Sequence, residues 1–438
     1  MAELERKLST FDLTMIAIGS TIGSGIFLTP SIVAQNLPSP LWMLSAWVLG
    51  GVLALSCALT LTELSGMFPS AGGMYVYLTK SFGRQIGFLF GWAYFAVVNT
   101  GGIAALSIAF ASFIGAVVEL GPVGTQVTAM SGLAVLTIMN VLGIRFGKIF
   151  SDTFSLLKLA GIAALILVGF TMGSSSNIDL SSGTVPGSMS GAFAAAMVGV
   201  LWAYGGAQHA SFTAGDAKNP TRSVPLAILV GTLIVTAVYL LANLAYLLML
   251  PVSEMASSTR LAADAMKSVL GPTGERIMAV AIFMSILGSL GIFTLTAPRI
   301  YFAMASDGLF FRRVAEIHPR FHTPAFAIIV QSAWAAVLIL FWGTFEELIS
   351  YVVFVDWVFF GLTGAAVFVL RRTMPDTPRP YKTFGYPITP AIFVVSSLWF
   401  VVNTLIDKPK QAIAGLIFLG IGMIIYRYWD KRDPQPKP

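Results

Sequence analysis

A chain of 438 residues is long enough for two or three soluble domains, but 56% hydrophobic and only 11% charged residues, with a mean hydropathy of +0.82, exclude a soluble globular or disordered protein. One cysteine, Cys57, excludes an intramolecular disulfide and most thiolate metal sites, and the three scattered histidines, His209, His318 and His322, complete no metal-binding or hydrolytic motif. The net charge of +6 is a weak pointer to nucleic acid and is better explained by loop charges of a membrane protein.

Residues 1–10 are polar and include acidic side chains, and no small-residue cleavage pattern follows the next apolar run. Residues 11–37 therefore read as a retained first span and not as a signal peptide. Further apolar runs, each long enough to cross roughly 30 Å of hydrocarbon, fall at 41–66, 84–119, 126–144, 150–171, 190–210, 224–250, 276–304, 324–342, 347–370, 387–406 and 411–428. The expectation is an all-α polytopic membrane protein with twelve transmembrane helices. With the N-terminus in the cytoplasm, nineteen of the 26 basic residues lie on the inner side. Arg260, Lys267, Arg276, Lys408 and Lys410 lie outside, and Lys158 and Arg299 lie within spans. This bias predicts a plasma (inner) membrane protein with both termini cytoplasmic.

The first span is not an ordinary helix interior. From Ala17 to Pro30 it carries Gly19, Gly23 and Gly25 with Ser20, Thr21 and Ser24 and no charge. Glycine lowers the cost of leaving helical geometry, and backbone groups freed in a membrane must find partners in protein or a wet cavity. The glycine spacing superficially suggests a nucleotide loop, but no strand precedes it. About 8 helical residues, or roughly 12 Å, come before the break, which places it near the midplane. A half-helix starting around Gly23 to Ile26 presents free N–H groups to a carboxylate, and one ending around Ile18 to Ser20 presents carbonyls to an ammonium. The alternative is close helix packing through small residues.

Span six breaks in the same way, at Trp202-Ala203-Tyr204-Gly205-Gly206, where Trp202, Ala203 and Gly205 offer further carbonyls. Two broken spans five apart run in opposite directions, the mark of an inverted repeat: 11–171 against 190–370, with 387–428 as two additional helices. An anionic and a cationic pole close together fit a free amino acid and not a sugar. Lys158 enters span five about 8 residues deep, roughly 12 Å, level with the first break and too deep for easy snorkelling. It reads as a fixed cation bridging the opened carbonyls of span one to span eight.

Trp202 reads as a gate over the substrate and Tyr204 as a second gating aromatic, against core packing for both. Asn99, Thr100, Gly101 and Gly102 form a small polar patch suited to a side-chain pocket, and Ser285, Ser289 and Thr294 face the same centre. Glu63 reads as a structural ion pair, Arg299 as an anchor near the inner end of its span, and His209 as a structural polar group. Asp356 has no assignable partner.

Together, Gly19-Ser-Thr-Ile-Gly23-Ser24-Gly25-Ile-Phe-Leu-Thr-Pro30, Trp202-Ala-Tyr204-Gly205-Gly206, Lys158, Arg299-Ile-Tyr301-Phe-Ala-Met-Ala305 before Asp307-Gly308, and Pro378-Arg379-Pro380-Tyr-Lys382 resemble the amino acid, polyamine and organocation transporter superfamily. The chain is most similar to the prokaryotic L-type amino acid transporter and exchanger branch. The resemblance implies a LeuT-like fold, with helices 1 and 6 broken, and sodium-independent exchange of neutral L-amino acids by alternating access. It implies that amides at Gly23, Ser24 and Gly25 hold the substrate carboxylate, and that carbonyls of Ile18, Thr21, Trp202, Ala203 and Gly205 hold its ammonium. Trp202 matches the gate, and Lys158 matches a lysine near the sodium position of coupled relatives. Gly206-Ala207-Gln208 departs from relatives that carry a bulkier aromatic after the glycines. Some eukaryotic relatives attach a heavy subunit through an outer-loop cysteine; Cys57 lies inside span two, so no disulfide-linked partner is expected. The expected partners are a free amino acid and membrane lipids, without cofactor, metal or nucleic acid. A proton-coupled symporter with Lys158 titrating, or a polyamine transporter, is the near alternative; a channel or an intramembrane enzyme, which would need convergent acid–base or metal residues, is not favoured.

Overall fold

The computed structural model describes residues 4–115, 120–179, 188–341, 345–407 and 409–432. The expected tail of span three, 116–119, and two of the basic residues used for orientation, Lys408 and Lys437, lie outside them. Among the described residues eleven helices are long and apolar enough to cross a membrane. They are Thr10–Asn36, Pro40–Met67, Arg84–Gly115, Pro122–Val141, Ile144–Met172, Met189–Phe212, Pro220–Met249, Leu261–Ser306, Phe354–Thr373, Ile388–Ile406 and Ala412–Asp430. The shorter apolar helix Ala325–Phe341, of 17 residues, takes the place of the expected ninth span. The only β-pairing among the described residues is one isolated bridge between Leu8 and Ala217.

Local chemistry explains where the helices begin. Ser9 caps span one through a reciprocal box: its Oγ accepts from Asp12 N–H at 3.3 Å, and its own N–H donates to Asp12 Oδ2 at 2.6 Å. Pro40, Pro122 and Pro220 stand in the first turns of their helices, where a missing N–H costs no intrahelical bond. Span eight starts earlier than the 276 read from its charges. It runs from Leu261 through a kink at Gly271, whose φ of 63° falls in the left-handed region. The charges that masked this extension pair with each other at its start, Glu275 with Lys267 at 3.1 Å and with Arg260 at 3.5 Å.

Span one is the centre of the bundle. In its apolar window 83% of the residues are buried, against 17% in spans four and twelve. Its first half packs against spans five, seven and eight, and its second half against span six. Spans five, eleven and twelve turn Leu156, Leu167, Val395, Leu398, Ile417 and Ile424 outward. Apolar surface on that scale is stable only against lipid. A salt bridge of 3.0 Å from Lys148 at the start of span five to Asp12 in span one ties the two at the N-terminal end of the bundle.

Candidate functional site

Span one is interrupted at Ile22, Gly23 and Ser24, between the half-helices Thr10–Thr21 and Gly25–Asn36. The break is shorter than the glycine pattern suggested, because the helix continues through Gly19, Ser20 and Thr21. Ser20 and Thr21 send their hydroxyls back to the carbonyls of Ile16 (2.6 Å) and Ala17 (2.7 Å), and so keep the last turn wound without exposing a polar side chain. Span six winds to Tyr204, turns through Gly205 to Gln208, and resumes only as the short helix His209–Phe212.

The two breaks touch. The Ser20 hydroxyl shares its proton with the Gly206 carbonyl at 2.8 Å, and Gln208 Oε1 accepts the Gly206 N–H at 2.9 Å. Between them lies a cavity of about 70 Å³, lined by Thr21, Gly23, Ser24, Gly25, Trp202, Ala203 and Gly205. A single water needs roughly 10–15 Å³ on the same measure, so the space suits a small solute. Ile18 and Tyr204 are among the sequence-derived residues that do not line it. Ile18 gives its carbonyl to the Ile22 N–H at 2.7 Å, and Tyr204 turns to span two, where its hydroxyl donates to the Trp47 carbonyl at 3.1 Å.

Hydrogen-bond accounting narrows what the cavity offers. The Gly23 N–H is taken by the Thr21 carbonyl at 2.9 Å. The N–H groups of Ser24, Gly25 and Ile26, at the start of the second half-helix, have no protein partner among the described residues. They form the positive end of a helix, with the geometry that binds carboxylates. Of the carbonyls read as ammonium ligands, Trp202 accepts from the Gly205 N–H at 3.1 Å, while Thr21 and Ala203 accept from the Tyr239 hydroxyl at 3.0 and 2.9 Å. The Gly205 carbonyl is without a protein partner among the described residues. A carbonyl has two lone pairs, so Trp202 and Ala203 retain capacity for a second donor, while Thr21, which also accepts the Gly23 N–H, does not.

Lys158 stands outside the cavity, fully buried behind the span-one break. Its ammonium donates to the carbonyls of Gly19 (2.5 Å) and Ile22 (2.8 Å) and to Ser289 Oγ (2.7 Å), which uses all three of its protons. Ser289 donates to Gly19 O at 3.1 Å, and Ser285 donates to Gly23 O at 3.1 Å. Gly288 makes room: a Cβ there would sit 2.8 Å from Lys158 Cε.

Asn99 and Gly102 line the cavity with Ser289, while Thr294 bonds to its own helix and Thr100 to Phe95 O. Asn99 Nδ2 donates to Gln331 Oε1 at 3.0 Å. Glu63 is an ion-pair residue, bound by Arg371 at 2.9 and 2.7 Å and by the Thr383 N–H at 2.7 Å. His209 bonds Thr296 Oγ1 at 2.6 Å and stacks on Phe293. Arg299 is not a snorkelling anchor: it is fully buried and holds Asp216 at 3.0 and 3.2 Å, with a further bond to the Leu295 carbonyl. Burial is stable there because the two-pronged pair satisfies both charges.

Sequence reasoning missed Tyr239 and Tyr246 in span seven; Tyr246 donates to the Ile26 carbonyl at 3.2 Å. The available signal was a tyrosine inside an apolar span, whose hydroxyl must find an acceptor. Tyr239→Phe keeps the ring against Trp47 and Tyr204 and deletes the bond that clamps both breaks. A net loss of about 1–1.5 kcal/mol is expected, and with it a roughly tenfold fall in transport at unchanged expression, read in reconstituted vesicles.

A bundle of membrane-spanning helices, two of them broken around a central cavity with free helix-end donors, defines a solute transporter and not an enzyme. The amino acid permease family profile matches residues 8–426, and the chain belongs to that family, within the amino acid, polyamine and organocation superfamily. It is 30% identical to the serine/threonine exchanger SteT of Bacillus subtilis, over 96% of each chain. It is also 30% identical to the b(0,+)-type amino acid transporter 1 of Homo sapiens (97% of this chain, 88% of the relative) and 28% identical to the human cystine/glutamate transporter (98% and 87%).

Proposed function

We propose that this protein exchanges small neutral L-amino acids across the plasma membrane by sodium-independent alternating access. The observation that carries the reading is the row of unpartnered N–H groups at Ser24, Gly25 and Ile26 across a small cavity from the carbonyl-rich turn of span six. The amides take the α-carboxylate. The Gly205 carbonyl, with the second lone pairs of Trp202 and Ala203, takes the α-ammonium. Trp202, on the cavity wall, closes over the substrate. The breaks in spans one and six support an inverted repeat of 11–171 and 190–370, followed by 387–428, with both termini cytoplasmic.

Lys158 supports the sodium-independent reading. Its ammonium occupies the carbonyl and hydroxyl oxygens of Gly19, Ile22 and Ser289 that a bound cation would need. The names of the relatives, a serine/threonine exchanger among them, agree with exchange of free amino acids. The test is uptake of labelled serine into proteoliposomes. Internal serine, alanine or threonine should stimulate uptake strongly, and replacing sodium by choline should leave it unchanged. Loss of uptake without sodium, or uptake driven by a proton gradient with no response to internal amino acid, overturns the reading.

A further inference from the structure

Among the described residues Asp356 in span ten is the one carboxylate on the cavity wall, and no lysine or arginine lines that wall. Asp356 is half-buried; the buried carboxylates Asp12, Glu63 and Asp216 each have a base, Lys148, Arg371 and Arg299 respectively. Asp356 is in none of the ion pairs among the described residues. Its one hydrogen bond there comes from the Tyr94 hydroxyl, which donates to Oδ1 at 2.9 Å. Tyr94 opens a five-residue π-helical turn, Tyr94–Val98, a distortion that recurs at functional sites because it redirects side chains out of helical register. A phenol orients a carboxylate without neutralising it. The other carboxyl oxygen has no protein donor among the described residues, and Trp357 and Phe360 line the same cavity beside it. A carboxylate flanked by aromatic rings is the arrangement that recognises an organic ammonium. Leaving it unpaired inside a membrane is costly.

We propose that Asp356, oriented by Tyr94, is a subsite for a cationic side-chain nitrogen, so that the protein takes short diamino acids in addition to neutral ones. This rests on the cavity being the amino acid site described above. The small volume favours side chains of the length of 2,4-diaminobutyrate or ornithine over longer ones.

The experiment is competition against serine exchange in proteoliposomes, with each cationic amino acid paired to a neutral one of similar length. The pairs are 2,4-diaminobutyrate with 2-aminobutyrate, ornithine with norvaline, and lysine with norleucine. In the wild type at least one cationic member should compete about tenfold better than its neutral counterpart, the discrimination of one charge-assisted hydrogen bond. In Asp356→Asn that ratio should fall to unity or below. Asp356→Glu, which keeps the charge on a longer arm, should retain the preference and shift it toward the shorter diamino acid. Serine exchange with no cationic preference in the wild type, or a ratio unchanged by Asp356→Asn, overturns the proposal. If no amino acid is exchanged at all, the transport reading falls and this subsite with it, a result distinct from exchange with flat ratios.

Discussion

Lys158→Ala should abolish exchange while leaving a folded, membrane-inserted protein. The side chain holds the carbonyls of Gly19 and Ile22, on either side of the point where span one opens, and Ser289 on span eight. Hydrogen bonds to a charged donor contribute about 1.5–3 kcal/mol each. If the open and closed arrangements of span one differ by a single such bond, the rate changes by roughly 10–100-fold. Folding is better protected, because the serines remain. Ser289 still donates to Gly19 O, and Ser285 still reaches Ile22 O at 3.3 Å and Gly23 O at 3.1 Å, so the orphaned carbonyls keep partners. Arginine is no substitute. Its planar fork is bulkier than the ammonium, and the channel is already tight against Gly288. Lys158→Ala and Lys158→Arg should therefore both migrate as monodisperse protein on size exclusion and both fail in serine exchange. Exchange in Lys158→Ala within twofold of the wild type would remove the lysine from the mechanism.

What could be read from the residues and what could not divide along a physical line. The breaks were legible because glycine clusters inside apolar runs have few other uses, and Lys158 was legible because one charge at mid-depth must be answered by something. The width of the first break was overestimated. Ser20 and Thr21 look like polar interruptions, yet Thr21 satisfies its hydroxyl on its own helix and Ser20 shares its one proton between its own helix and Gly206 O. The partners were hidden wherever they lie far along the chain. Arg299 was read by its position near a helix end, but its carboxylate, Asp216, is 83 residues away in the turn after span six. Tyr239 reaches carbonyls 218 and 36 residues away, and no local pattern encodes such a meeting. Tyr204 shows the opposite failure: a polar-tipped aromatic beside the break looked like a gate, while its hydroxyl already has the Trp47 carbonyl. That contact turns the Tyr204 ring toward span two and away from the cavity wall.

Gly206→Ala should damage both fold and transport, while Gly205→Ala next to it should be tolerated by the fold. Gly206 has φ 145°, outside the range comfortable for residues with a side chain, and a Cβ there would lie 2.6 Å from the Ser20 carbonyl carbon and the Thr21 Cα and N. Those are backbone atoms of the helical turn just before the first break and cannot rotate aside. The substitution adds a backbone cost of about 1–3 kcal/mol and an overpacking cost of about 1–3 kcal/mol. Relief comes only by parting the two breaks, which stretches the Ser20 Oγ to Gly206 O bond and widens the space between the span-one amides and the span-six carbonyls. Poles that no longer match the spacing of one α-carbon lose affinity for both ends of the substrate together, so serine exchange should fall by more than about a hundredfold, equivalent to roughly 2.8 kcal/mol. At Gly205 a Cβ would meet only the Trp202 and Leu201 carbonyl oxygens, at 3.4 and 3.7 Å, with φ at −71°. Thermal unfolding in detergent separates the two cases: Gly205→Ala should melt near the wild type and Gly206→Ala well below it. Equal melting temperatures for the two variants would mean that the breaks in spans one and six are not held in contact at Gly206.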